Sequence, residues 1–136
     1  MSELNNNQLQ FYQKTGELFF AIAAADKVIR KSEYETLHRM IVSNWKNLDD
    51  FKDEFGVDAS YQMEIVFDWL DYESLDADTC FESFAAFYKE HPKLFSEKRK
   101  ELIIKTAHAI AGAFAGKNKS ELMILGKLQI LFKKQL

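Results

Sequence analysis

The stretch GELFFAIAAADKVIRKSE, from Gly16 to Glu33, decides the fold. From Leu18 to Ala25 every residue is apolar, and the run ends at Asp26. A short basic turn follows. A second helix is expected to open at Ser32, with Glu33 and Glu35 in its first turn. Ser32 reads as the N-cap and Glu35, three residues on, as the other half of a capping box. A weaker echo, AHAIAGAFAGKNKSE, runs from Ala107 to Glu121. In each copy a helix of small apolar residues precedes the turn. In each, a Lys-Ser-Glu tripeptide opens the next helix: Lys31-Ser32-Glu33, then Lys119-Ser120-Glu121. Two such units predict an internally duplicated helical hairpin.

Outward from that stretch, helical spacing of apolar residues divides the rest of the chain. The first helix spans about Asn7 to Ala25, with Leu9, Tyr12, Phe19, Phe20 and Ala23 on one face. The second carries Leu37, Met40, Ile41, Asn44, Trp45 and Leu48 and fades at Asp49-Asp50. DDFKDEFGVD is a connection, bending at Gly56. Asp58 or Ser60 caps a third helix to about Tyr72, where Tyr61, Ile65, Trp69 and Tyr72 share a face, with Val66 and Leu70 beside them. Asp76 or Asp78 caps a fourth, ending near His91, with Phe81, Phe84, Ala85 and Tyr88 inward. Pro92, the only proline, breaks the chain there. A fifth helix runs from near Ser96 to about Ala115 through Leu102, Ile103, Thr106, Ala107, Ile110 and Phe114. Its small residues allow close approach of a neighbour, so it is expected at the centre. Ser120 caps the last, with Leu122, Leu125, Leu128, Leu131 and Phe132. No stretch alternates with period two. The chain reads as all-α: one domain over 1–136, a bundle of six or seven helices, with residues 1–6 a flexible tail.

Composition agrees. At 136 residues, 47% of them apolar and 12 of them Phe, the chain can fill one core. Five Gly and one Pro leave few breaks in the helices. The single cysteine, Cys80, excludes an internal disulfide framework and a Cys-rich zinc site. No segment is long and apolar enough to span a bilayer, and the N-terminus lacks a signal-peptide plan. A cytoplasmic location is expected, without membrane insertion.

Charge is segregated. Residues 49–82 hold twelve acidic groups and one basic one, whereas 83–136 hold eleven basic and four acidic. Such polarity can serve internal pairing, a charged partner or self-association as a homodimer. The basic set, which includes Lys98, Arg99, Lys100, Lys105, Lys117, Lys119, Lys127, Lys133 and Lys134, is dispersed and Arg-poor, so nucleic acid is not an expected partner.

Chemistry-bearing motifs are few. DKVIRKSE has the shape of the second half of a calcium loop, with Asp26 and Glu33 as oxygen donors. An intact loop needs donors upstream and a Gly after the central Asp. Here Ile22 and Ala24 stand upstream and Lys27 replaces the Gly, so an EF-hand is rejected. The plainer reading has Asp26 capping a turn and Glu33 favouring a helix start. Asp68 and Asp71 share a helical face, but no nucleophile accompanies the acidic run at a telling spacing. His38, His91 and His108 fall on different helices. There is no phosphate loop and no nucleophile elbow. No catalytic residue is nominated, and the chain is not expected to be an enzyme.

AIAAADKVIRKSEYETLHRMI resembles the signature of the TerB-like family of tellurite-resistance proteins: an Ala-rich helix, an Ala-Asp step, a short turn with an apolar residue and a Glu opening the next helix. The resemblance implies an all-helical, internally duplicated fold. It implies a cytoplasmic binding module linked to tellurite or general stress responses. It also implies a divalent cation near the turns, where Asp26, Glu33 and, in the second copy, Glu121 match. Lys27 departs from the family's Gly, and Gly116 from its second Asp. The alternative is a metal-free protein-interaction scaffold that assembles through its acidic and basic surfaces.

Overall fold

A helical segment that is apolar all round has to be surrounded, and the end of α1 (Asn6–Ala23), from Leu18 on, is. In the computed structural model, which describes residues 6–25, 29–48, 58–113 and 119–133, every residue from Leu18 to Ala23 is buried. Helix α1 packs against α4 (Tyr61–Glu73), α5 (Ala77–Glu90), α6 (Glu97–Ala111) and α7 (Lys119–Lys133). Helix α2 (Lys31–Met40) continues through a π turn, Ile41–Trp45, into the short α3 (Lys46–Leu48), and packs against α6. The described residues form an all-α bundle with no strand. Helix α1 meets α7, and α2 meets α6.

The centre differs from expectation. The small-residue helix, α6, buries Ala107, Ile110 and Ala111 but leaves Gly112 exposed. The hub is α1 instead, because its segment Leu18–Ala23 has no polar face to turn outward. Close approach falls on α1 too. A Cβ built on Gly16 would meet the Met63 carbonyl oxygen at 2.7 Å, so α1 and α4 touch backbone to backbone.

One contiguous core results, and aromatic rings fill much of it. Phe95, on the link between α5 and α6, meets Phe11 at 5.0 Å and Tyr88 at 4.9 Å, both edge to face. Such geometry suits the ring quadrupoles. Trp45 donates its indole N–H to Thr106 Oγ1 at 3.0 Å, tying the π turn to α6 without an orphaned polar group. Arg99 is also inward. Its guanidinium donates to the Leu94 carbonyl at 2.8 Å and to Gln8 Oε1 at 2.7 Å, and lies 4.0 Å from the Phe11 ring centre.

Caps follow the sequence in part. Asp76 Oδ2 accepts from the Thr79 N–H at 3.0 Å to open α5, and Ser96 Oγ accepts from the Arg99 N–H at 3.2 Å to open α6. Pro92 starts a 3-10 turn, Pro92–Leu94, between them. The Lys-Ser-Glu tripeptides behave otherwise. The N-cap of α2 is Arg30, not Ser32, and the capping acid is Glu33, not Glu35: Glu33 Oε1 accepts from the Arg30 N–H at 2.8 Å. Lys-Ser-Glu fills the first three helical positions in both α2 and α7, so Ser120 lies inside its helix as Ser32 does. Asp26, Gly56 and Phe114 lie outside the described residues.

Candidate functional site

Glu33 and Glu121 occupy matching places, third in their helices, and both are buried, at 1% and 2% exposure. One oxygen of Glu33 is committed to the Arg30 N–H, which is the work of a capping box. Asp26, the third residue of the expected cation site, is outside the described residues. Among the described residues no three His, Cys, Asp or Glu side chains gather as metal ligands would.

The first bend meets the start of α7. A cleft of about 540 Å³ is lined by Ala24, Ala25 and Ile29 from the first bend and by Ser120 and Ile124 from the start of α7. Its rim carries Asp71, Asp76 and Asp78 opposite Lys127. Asp76 is occupied as the α5 cap. Ser74 closes α4 in the left-handed region, at φ 56° and ψ 43°, which turns the chain back into this rim.

The outward face of α4 is the feature that stands apart. Its side chains form three rows at spacing i, i+4, i+7, which lines residues up on one face of an α-helix. Met63, Phe67 and Leu70 are buried against α1, with Phe67 edge to face with Phe20 at 5.9 Å. Glu64, Asp68 and Asp71 form the next row. Ile65, Trp69 and Tyr72 form the third, and they are 58%, 57% and 84% exposed. At about 100° per residue the third row stands some 200° from the first, almost opposite the core. The face that groups Ile65, Trp69 and Tyr72 is therefore not the packing face. Hydropathy presents two apolar rows on this helix. The inward row is the one whose Met63 backbone meets Gly16.

Charge accompanies this row. Asp68 and Asp71 are exposed beside it, and Glu73 follows it. Glu64 is the partner of His38, whose Nδ1 lies 2.5 Å from Glu64 Oε1. Tyr34, behind the acidic row, has its phenol pushed up by burial and by Glu64 and Asp68. The outward face of α4 is thus an apolar line edged by carboxylates.

A second surface has the opposite sign. Between α5 and α7 runs a groove of about 880 Å³ floored by Phe81, Tyr88, Phe95 and Leu131, with Ile130 at its lip. Lys89, Lys93, Lys100 and Lys127 border it, with Glu82 and Glu97. Lys100 is 3.3 Å from Glu97, and Lys127 lies 4.7 Å from the Phe81 ring centre. Part of the basic set is used inside the fold, since Arg99 and Lys100 are buried. Cys80 is buried as well, and burial pushes its thiol up to about 11. It is therefore no ready nucleophile. No described helix is long and apolar enough to cross a membrane.

No family model, curated protein or solved structure matches the chain.

Proposed function

We propose that this chain is a cytoplasmic helical protein-binding module, TerB-like in plan, that works through the outward face of α4. The observation that carries the reading is the exposure of Ile65, Trp69 and Tyr72 in one row. A helix exposing Trp and Tyr together in a line leaves apolar area in water, and such patches mark interaction sites. Trp and Tyr are also the residues that most often dominate binding energy. The carboxylates beside the row add a sign preference, so the partner surface is apolar and basic. The sequence carries no phosphate loop and no nucleophile elbow, and the reading is of a module that binds. A link to tellurite or general stress rests on the family resemblance alone.

The cation role implied by that resemblance has less support. Glu33 has a structural partner, and Lys27 and Gly116 depart from the family's turns.

Capture from a lysate of the source cells, with wild type and Trp69→Ser compared side by side, tests the binding face. One or more proteins retained by the wild type should be lost from Trp69→Ser. A truncated hot-spot Trp weakens binding by ~2 kcal/mol or more, about thirtyfold. Equal retention by both proteins would refute this face as the binding surface.

A further inference from the structure

The apolar-acidic row on α4 and the apolar-basic groove between α5 and α7 are complementary, and they lie on the same chain. We propose that the groove receives the α4 face of a second copy of this chain, so that the protein assembles head to tail. This rests on the reading of the α4 face given above and names its partner.

Three features favour a second copy as the occupant. The first is charge. Exposed Asp68, Asp71 and Glu73 edge the row, while Lys89, Lys93 and Lys127 edge the groove. Glu82 and Glu97 lie on the same rim, but the lysines outnumber them, and Glu97 is paired with Lys100. The second is shape. The row from Ile65 to Tyr72 extends about 10 Å along α4 at 1.5 Å per residue. The groove is an apolar channel with room for such a ridge, floored by rings that can take an indole and a phenol at their edges. The third is vacancy within the molecule. None of Ile65, Trp69 and Tyr72 lines the groove of its own chain.

The two surfaces are different patches. A contact between them is therefore heterologous, and a pair of copies keeps one unused row and one unused groove, on different copies. Such contacts extend into open chains or close into rings. Two aromatics and an isoleucine, some already half covered, make a small interface of the weak, concentration-dependent class. Carboxylate–ammonium complementarity at an exposed rim is screened by salt.

Sedimentation velocity tests the assembly with wild type, Trp69→Ser, and the double variant Lys89→Glu with Lys93→Glu. All three positions are exposed, and matching thermal melts establish that the variants stay folded. Wild type should gain weight-average mass with concentration at low salt and return to monomer at high salt. Each variant alone should remain monomeric over the same range. Their equimolar mixture should stop at two chains, because the intact groove of one receives the intact row of the other. A wild type that stays monomeric at low salt at every concentration overturns the proposal, as does a Trp69→Ser variant that associates like wild type. If wild type is monomeric while Trp69 still decides lysate capture, the partner assignment falls and the binding face stands. If Trp69 affects neither, both fall.

Discussion

Gly16 and Met63 stand where two backbones touch: a Cβ on Gly16 would lie 2.7 Å from the Met63 carbonyl oxygen and 3.0 Å from its Cα. Backbone cannot give way as a flexible side chain can. Gly16→Ala should therefore lose more to overpacking, about 1–3 kcal/mol, than the ~1 kcal/mol that Ala gains over Gly in a helix. At Gly126, in α7, an added Cβ meets nothing within 4 Å. Gly126→Ala should raise stability by ~0.5–1 kcal/mol. Urea midpoints of the two variants should move in opposite directions. A Gly16→Ala variant as stable as wild type would mean that α1 and α4 do not meet at this distance.

That contact also explains what could be read in advance. Helix positions, the all-α class, a cap at Asp76 or Asp78 and a helix start near Ser96 follow from local spacing and chemistry, and they were legible. The orientation of α4 was not. Met63, Phe67 and Leu70 repeat at the same interval as Ile65, Trp69 and Tyr72, so periodicity cannot choose between the rows. The choice is made by packing against α1, at Gly16 and Phe20, more than forty residues away in sequence. The three parallel rows were the available signal, since a soluble helix seldom needs two apolar stripes on opposite sides. Lys-Ser-Glu misled for a different reason. Ser and the acid three residues after it make a good capping box on paper, but Glu33, equally spaced from Arg30, caps the Arg30 N–H instead and is buried in doing so.

Glu33 supports α2 by its bond to the Arg30 N–H. Glu33→Ala should cost about 1 kcal/mol, within the range for lost helix caps. Glu33→Gln, which keeps an acceptor oxygen, should cost less. Since Glu33 acts as a cap, calcium or magnesium should leave the melting temperature of the wild type unchanged. A ligand specific to the folded state would raise it. A rise that Asp26→Asn and Glu33→Gln both abolish would restore the cation role.

Cys80 gives a pH dependence of defined sign. Burial, then Glu17 and Asp76, push its thiol from 9.0 up to about 11, while Lys14 opposes them. The folded chain therefore holds a proton that the unfolded chain releases in that interval. The stability linked to this group is full below pH 9 and is lost as pH rises through about 11. Wild type should lose more urea resistance than Cys80→Ala over that interval. A thiol reagent at about pH 8 should label native protein far more slowly than unfolded protein, because thiolate and access are both scarce. Fast labelling of the native chain would contradict the burial.

Only two tryptophans are present, and their surroundings differ completely: Trp45 is fully buried and bonded to Thr106, whereas Trp69 is more than half exposed. Acrylamide quenching of tryptophan fluorescence therefore reads the orientation of α4 directly, in wild type and Trp69→Phe at high salt and low concentration. The component that Trp69→Phe removes should be red-shifted and readily quenched, leaving a blue, protected emission from Trp45. A removed component that is blue and protected would put Trp69 in the interior and end the case for an outward apolar row.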